Sequence, residues 1–283
     1  MGVRSAASKG CWLVSHIRRP LTSDTAGVPL RTRTMHRRTM RGSAQRVGDD
    51  VAIPYAALLD FRSKHVFNPW AQRDPLDDIS SGRPDDIGPR ARLARLQAHF
   101  AIAPALVLVG EASGYQGCHF SGLAFTNEKL LLEQRIPRIG SVGRLTKRPR
   151  PWCEPSATVV WGALHALDLA DRTVLWNAFA WHPFKPGQPY SNRPPTRAEL
   201  EDGREVLDGV LDEFAAASLV AVGQVADRAL RGLGRTPDAT LRHPSMGGAN
   251  EFRAGLRALA KRLTSERPSL RRRAARRRAT SAG

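Results

Sequence analysis

Cysteine is scarce in this chain: Cys11, Cys118 and Cys153 are spread over 283 residues with no CxxC pair. A disulfide framework or a zinc ribbon needs closely paired thiols, so neither organises the fold. Long apolar runs are missing too. The longest, Ala101–Gly110 and Ala215–Gly223, fall short of the roughly 18 uncharged residues of a membrane-spanning helix. No secretory apolar core of the usual form is present, which makes a soluble protein of a reducing cytoplasm the expectation. Aromatics are only 6%, but 41% hydrophobic residues supply enough apolar surface for a sizeable core and exclude a wholly disordered chain.

Acidic residues are sparse at the two ends. Residues 1–50 hold ten basic and three acidic side chains, and residues 261–283 hold nine and one, so the ends carry +7 and +8 of the net +18. The middle is nearly balanced. The high charge therefore describes the termini, where a basic arm can bind polyanions by counterion release, while Arg-heavy usage alone can also reflect coding bias. Residues 1–50 lack periodicity and read as a disordered basic arm; their Arg- and Ser-rich, acid-poor composition is also that of a mitochondrial transit peptide. Residues 264–283, with RRRAARRR, read as a disordered Arg-rich tail. The folded unit is expected over residues 51–263.

Within that unit strand-like and helical patterns alternate. Pro89–Phe100 places Leu93, Leu96 and Phe100 on one helical face. It leads into ALVLV at Ala105–Val109, a fully apolar strand ended by Gly110. Phe125–Gln134 and Ala157–Leu167 read as helices, with an irregular Arg/Pro-rich stretch between them. TVLW at Thr173–Trp176 is a second strand ended by Asn177, and Pro195–Ala217 one long helix. LVAV at Leu219–Val222 is a third strand, Val225–Leu233 a helix, Ala239–Arg242 a fourth strand, and Gly247-Gly248 opens a last helix to about Arg262. The pattern predicts an α/β, three-layer αβα sandwich around a central four-stranded parallel sheet.

In such a sheet the carboxyl ends of the strands share one crevice, where ligands bind. The predicted strands run out, in turn, into Gly110-Glu111-Ala112-Ser113-Gly114, Asn177, Gly223-Gln224 and His243-Pro244-Ser245. A carboxylate can hold a water, an amide can read the edge of a planar base, and an imidazole can stabilise charge on a leaving oxygen. Each alone is an ordinary turn or helix-start residue; three at three strand ends form a constellation. Gly110, Gly114 and Gly117 are not spaced as a dinucleotide-binding fingerprint, and no Gly-Lys-Ser/Thr comes after them. Ser113 is out of frame for a nucleophile elbow, which leaves a Ser113–His243 esterase as a poor third reading.

GEASGYQGCHFSGLAFTNE, WNAFAWHPFKPGQPYSNRPPTRAE and RHPSMGG, in this order, resemble the motifs of the uracil-DNA glycosylase superfamily. They are most similar to its GEAPG/HPS (family 4-like) branch, over about Ala105–Leu259. The resemblance implies a monofunctional glycosylase that hydrolyses the N-glycosidic bond of uracil flipped out of DNA, with uracil-containing DNA as partner, no cofactor in the chemistry and a monomeric state. By resemblance, Asn177 reads the uracil amide edge, His243 bonds the carbonyl beside the glycosidic nitrogen, and Glu111 orients water. Phe120 is the first choice to stack on the base and Phe125 the second. Gly110, Ala112, Ser113, Gly114, Tyr115 and Gly117 shape the pocket, with Gly114 and Gly117 as its floor. Ser245, Met246 and Gly247 lie against flanking DNA, Met246 as a short wedge, and Arg242 and Arg193 add phosphate contacts.

The departures are specific. Ser113 stands where the branch has Pro, which is expected to loosen a turn and affect rate rather than fold. Three cysteines cannot supply the four ligands of the iron–sulfur cluster usual in the branch, so no cluster and no metal are expected. The insert of the covalently DNA-linking relatives is absent. Trp152, Trp161, Trp176 and Trp181 read as core or loop anchors, and His119, His165 and His182 as satisfied histidines rather than metal ligands. The alternative from another class is a nucleic-acid-binding module on the same fold with weak or lost chemistry.

Overall fold

A computed structural model describes residues 53–79 and 84–280. The elements in chain order are α1 Tyr55–Asp60, β1 Val66–Phe67, α2 Gly88–Phe100, β2 Leu106–Ala112, α3 Cys118–Ser121, α4 Glu128–Leu132, α5 Pro155–Ala166, β3 Thr173–Phe179, β4 His182–Pro183, α6 Arg197–Asp202, α7 Arg204–Glu213, β5 Ser218–Val222, α8 Gln224–Gly232, β6 Ala239–Leu241 and α9 Ala249–Thr280. They lie in one unit, Asp49–Gly283. The expected N-terminal arm lies outside the described residues. Among the described residues no helix is long and apolar enough to cross a membrane.

Four strands form a parallel sheet in the order β3-β2-β5-β6, as the alternating pattern predicts. The chain leaves β2 to one side for β3 and returns to the other side for β5, so the strand order reverses at β2. This is the switch point beside which an open sheet offers a crevice. The strands β2 and β3 are buried nearly throughout because helices cover both faces, which explains their continuous apolar runs. Trp161, Trp176 and Trp181 are buried in the core, as expected of anchors. A separate antiparallel pair, β1 with β4, brackets the loop after β3.

Several boundaries differ from the sequence expectation. Strands β2 and β3 run past Gly110 and Asn177, to Ala112 and Phe179. Asn177 is therefore inside a strand, paired opposite Gly110. Only Glu128–Leu132 of the expected helix 125–134 forms, because the Asn127 side chain caps it by accepting from the Leu130 amide at 2.9 Å. The helix expected over 195–217 divides at Gly203, where a side chain would stand 3.3 Å from the Phe179 ring. The last helix continues beyond Arg262 through most of the expected tail, to Thr280; Ala and Arg, strong helix formers, favour it and no glycine lies between Gly255 and Gly283, whereas Pro268 inside it works against it.

Helix α2 carries a polar surprise. Alongside Leu96 and Phe100 it buries Arg92, Arg95 and His99. Arg92 pairs with Asp77 and donates to the Pro69 and Gln72 carbonyls, while Arg95 donates to the Ser121 and Asp86 carbonyls, both at 2.7 Å. Buried guanidinium groups thus tie the end of α3 to neighbouring loops, as unpaired buried charge would be costly. His99 Nε2 accepts the Leu175 amide at 2.9 Å. Because β3 is the sheet edge, this bond satisfies an N–H that would otherwise be open.

Candidate active site

The register of β2 with β3 sets Gly110 directly beside Asn177. A Cβ at position 110 would stand 2.5 Å from the Phe125 ring and 2.7 Å from Asn177 Oδ1. The missing side chain lets an aromatic ring and an amide lie over the β2 main chain. Phe125 holds φ +49°, a left-handed conformation that is strained for an aromatic residue. Its ring lies 5.9 Å from the His243 ring at an interplanar angle of 35°. Glu111, Asn177 and His243 therefore meet in one cleft, which is also lined by Ala112, Ser113, Gly114 and Phe125. Two residues that the sequence reading assigned no role, Cys118 and Glu154, complete its wall.

Hydrogen bonds orient the polar groups. Ser245 approaches His243 Nδ1 with both its hydroxyl, at 2.7 Å, and its amide N–H, at 3.2 Å. An N–H pointing at Nδ1 makes that nitrogen the acceptor, which puts the ring proton on Nε2. Burial, assisted by Arg242, holds the imidazole below its ordinary range and thus neutral. Asn177 Nδ2 donates to Ser113 Oγ at 3.4 Å, and the Ser113 hydroxyl donates to the Ala180 carbonyl. The turn expected to be loose where Pro is replaced is instead pinned by a buried hydroxyl. This bonding also removes support for Ser113 as a nucleophile paired with His243. The Glu111 carboxyl is pushed up by burial and pulled back by Arg228.

The structure separates the remaining expected site residues. Phe120, the first choice for stacking, is 1% exposed and outside the cleft; helix α3 turns it against Trp152, at 5.9 Å between centroids, and His119, at 4.4 Å. Phe125 lines the cleft in its place. Gly114 lines the cleft, whereas Gly117 lies behind Glu154. Tyr115 packs edge-on against Trp152 at 5.3 Å, and its amide donates to Asn192 Oδ1 at 3.1 Å. Ser245 holds His243, Arg242 is exposed beside it, and Met246 is 91% exposed with φ +52°, followed by Gly247 at φ +82°. An apolar side chain thus projects into solvent three residues beyond His243. Arg193 is engaged within the chain: its guanidinium pairs bidentately with Glu199, at 2.6 and 2.7 Å, and donates to the Phe184 carbonyl.

His119 and His182 are satisfied, as expected. His182 Nε2 donates to the Ser191 carbonyl at 2.9 Å, its Nδ1 meets His119 Nδ1 at 2.8 Å, and His119 Nε2 meets Asp74 Oδ2 at 2.9 Å. Tyr190 donates to the same carboxylate. His165 bonds the Arg135 carbonyl. This buried chain fastens the loop of residues 182–192, which supplies Asn192 to the rim. Glu128, fully buried, anchors the irregular stretch by accepting from the amides of Leu145, Thr146 and Trp152 and from Arg144. Among the described residues no group of three or more His, Cys, Asp or Glu is arranged to hold a metal ion.

Comparison with known proteins bears on the family and the fold. No curated protein matches the chain in sequence. Among solved structures, SMUG2 of Pedobacter heparinus is similar, with a TM-score of 0.50 at 12% identity over 75% of this chain and 97% of that one. At that identity the likeness speaks for the fold alone. The family model of the uracil DNA glycosylase superfamily matches residues 98–277, more than half of the chain and all of the cleft, and the protein belongs to that superfamily.

Proposed function

We propose that the protein is a monofunctional glycosylase that hydrolyses the N-glycosidic bond of uracil in DNA and leaves an abasic site. The observation that carries this is the meeting of Glu111, Asn177 and His243 in one cleft beside the Phe125 ring. A base within the duplex stack is out of reach, so the target nucleotide turns out into the cleft at a cost of a few kcal/mol, offset by pocket contacts. Phe125 stacks on the extruded ring. Asn177 Oδ1 accepts the uracil N3–H while its Nδ2 donates to O4. Cytosine presents the reverse pattern at those atoms and leaves buried groups unpaired.

The C1′–N1 bond breaks with its electron pair retained by the base, whose negative charge spreads onto O2. The neutral His243 Nε2–H donates to that oxygen as charge builds, an electrostatic contribution of the oxyanion-hole kind. Glu111, ionised, stabilises the cationic sugar and aligns the water that forms the new C1′–O bond, in the manner of glycosidase carboxylates. The water's proton passes to Glu111 and on to solvent, and the base anion takes up a proton from solvent. Met246 and Arg242 contact the flanking DNA at the mouth. The GEASG, NR-x-P and HPS segments support placement in the GEAPG/HPS branch, without its cluster, and the protein works as a monomer. The test is incubation with a uracil-containing oligonucleotide and then alkali, run beside hypoxanthine and thymine mispairs. Scission at uracil is the expected outcome; intact strands despite binding would make the protein a nucleic-acid-binding module instead.

A further inference from the structure

The cleft holds a second carboxyl that the chemistry above leaves unused. Glu154 is the residue before α5, and its main chain is fixed: its carbonyl accepts from Asn127 Nδ2 and from the Thr158 amide, both at 3.2 Å. A side chain at this position can cap its own helix, a role that Ser, Thr, Asp and Asn fill best. That of Glu154 makes no such bond and lines the cleft instead. Its Oε2 lies 1.9 Å from where a Cβ on Gly117 would be, so the carboxyl occupies the space that Gly117 leaves open. No hydrogen bond or ion pair joins it to any described residue. A half-buried carboxyl without a protein partner, facing a cavity shared with three reactive groups, is a recognition group waiting for a ligand.

Resting on the glycosylase reading, we propose that the Glu154 carboxyl is a second recognition group for the excised base, donating its O–H to a base carbonyl and to the anion that forms as the glycosidic bond breaks. The electrostatics favour this. The titratable groups facing Glu154 are Glu111 at the end of β2, the Cys118 thiol on α3, pushed up to about 12 by burial, and His243 after β6, held neutral. No Lys or Arg lines the cleft. Burial alone raises the Glu154 carboxyl to about 7. Glu111 has Arg228 to oppose its rise whereas burial of Glu154 meets no opposing cation, so Glu154 is the carboxyl that more readily keeps its proton, an inequality that lets neighbouring acids take different roles. Ionised, Glu154 would repel the departing uracil anion; protonated, it stabilises it.

The test is single-turnover uracil excision from pH 5.5 to 8.5 by the wild type, Glu154→Gln and Glu154→Ala, with thermal unfolding confirming that each folds. The expected wild-type rate falls above about pH 7. Glu154→Gln, which keeps an N–H donor but cannot ionise, loses that fall and is impaired several-fold less than Glu154→Ala. The latter is slower on the order of a hundredfold, the scale for one donor to developing charge. Superposable wild-type and Glu154→Gln profiles, or an unimpaired Glu154→Ala, overturn the proposal while leaving the glycosylase reading intact. A wild type that releases no uracil at any pH overturns both.

Discussion

The Asn177 amide nitrogen lies 3.4 Å from the Ser113 hydroxyl oxygen, and that hydroxyl in turn donates to the Ala180 carbonyl. The amide proposed to read the base is thus oriented by the residue that departs from the GEAPG motif this segment resembles. Ser113→Ala frees the amide to rotate and is expected to lower uracil kcat/KM on the order of tenfold, about 1.4 kcal/mol, the scale of one hydrogen bond. Ser113→Pro restores the motif but removes the same bond and is expected to fall in the same direction. Steady-state kinetics on a uracil oligonucleotide checks both; a faster Ser113→Ala enzyme would contradict the relationship.

Gly110 is the space into which Phe125 and Asn177 both fit. Gly110→Ala must displace one of them, since 2.5 Å to a ring carbon is not a tolerable contact. Excision is expected to drop at least a hundredfold, and the readout is single-turnover rate at saturating enzyme. Near-wild-type turnover would show that neither side chain needs its present place.

Phe120 and Phe125 separate stability from catalysis. Phe120→Ala removes a core ring and is expected to cost about 3–5 kcal/mol in urea unfolding. Phe125→Ala removes a strained cleft residue, so its loss appears mainly in excision rate. A reversal of this division would return base stacking to Phe120.

Much of this arrangement is legible in the sequence, and the exceptions have physical causes. The strands announce themselves because LVLV, TVLW and LVAV are buried on both faces, and the residues just after them are the ones a parallel sheet exposes. Choosing between Phe120 and Phe125 needs tertiary contacts: five residues apart in one motif, they are sorted only by the tight α3 turn and by the left-handed backbone at Phe125. Glu154 hides in an irregular Arg/Pro-rich stretch where no periodicity marks an inward side chain. Its counterpart signal is Gly117, a glycine in no fingerprint, standing where the Glu154 carboxyl needs room. Arg92, Arg95 and His99 look like the wet face of an amphipathic helix, and only the carbonyls they meet reveal that the face is buried.

The buried His99 gives a pH dependence of stability. Burial and Arg138 lower it to about 3, and as an acceptor from the Leu175 amide it must be neutral. The unfolded chain takes up a proton near pH 6.5 that the folded state refuses down to about 3. Stability should therefore fall as pH drops through that window, at most by about 1.4 kcal/mol per pH unit for this group. His182, lowered to about 3, acts in the same direction, and Glu154, raised to about 7, acts in the opposite one. Urea midpoints at pH 7, 6 and 5 read the balance, with a decline expected. A flat profile would contradict the neutral buried histidines.

Arg193 and Arg242 are expected to part in DNA binding. Arg242→Ala reduces the salt slope of binding by about one, whereas Arg193→Ala leaves the slope unchanged and loosens the loop that Glu199 holds. A slope lowered as much by Arg193→Ala as by Arg242→Ala would make Arg193 a phosphate contact.

The claim underlying the rest is that a pyrimidine sits among Glu111, Asn177 and His243. Its most direct measurement compares uracil release and DNA affinity for His243→Ala and Asn177→Ala. The account predicts that each loses uracil release by at least a hundredfold while binding the oligonucleotide with nearly unchanged affinity. Either variant releasing uracil at the wild-type rate would contradict it.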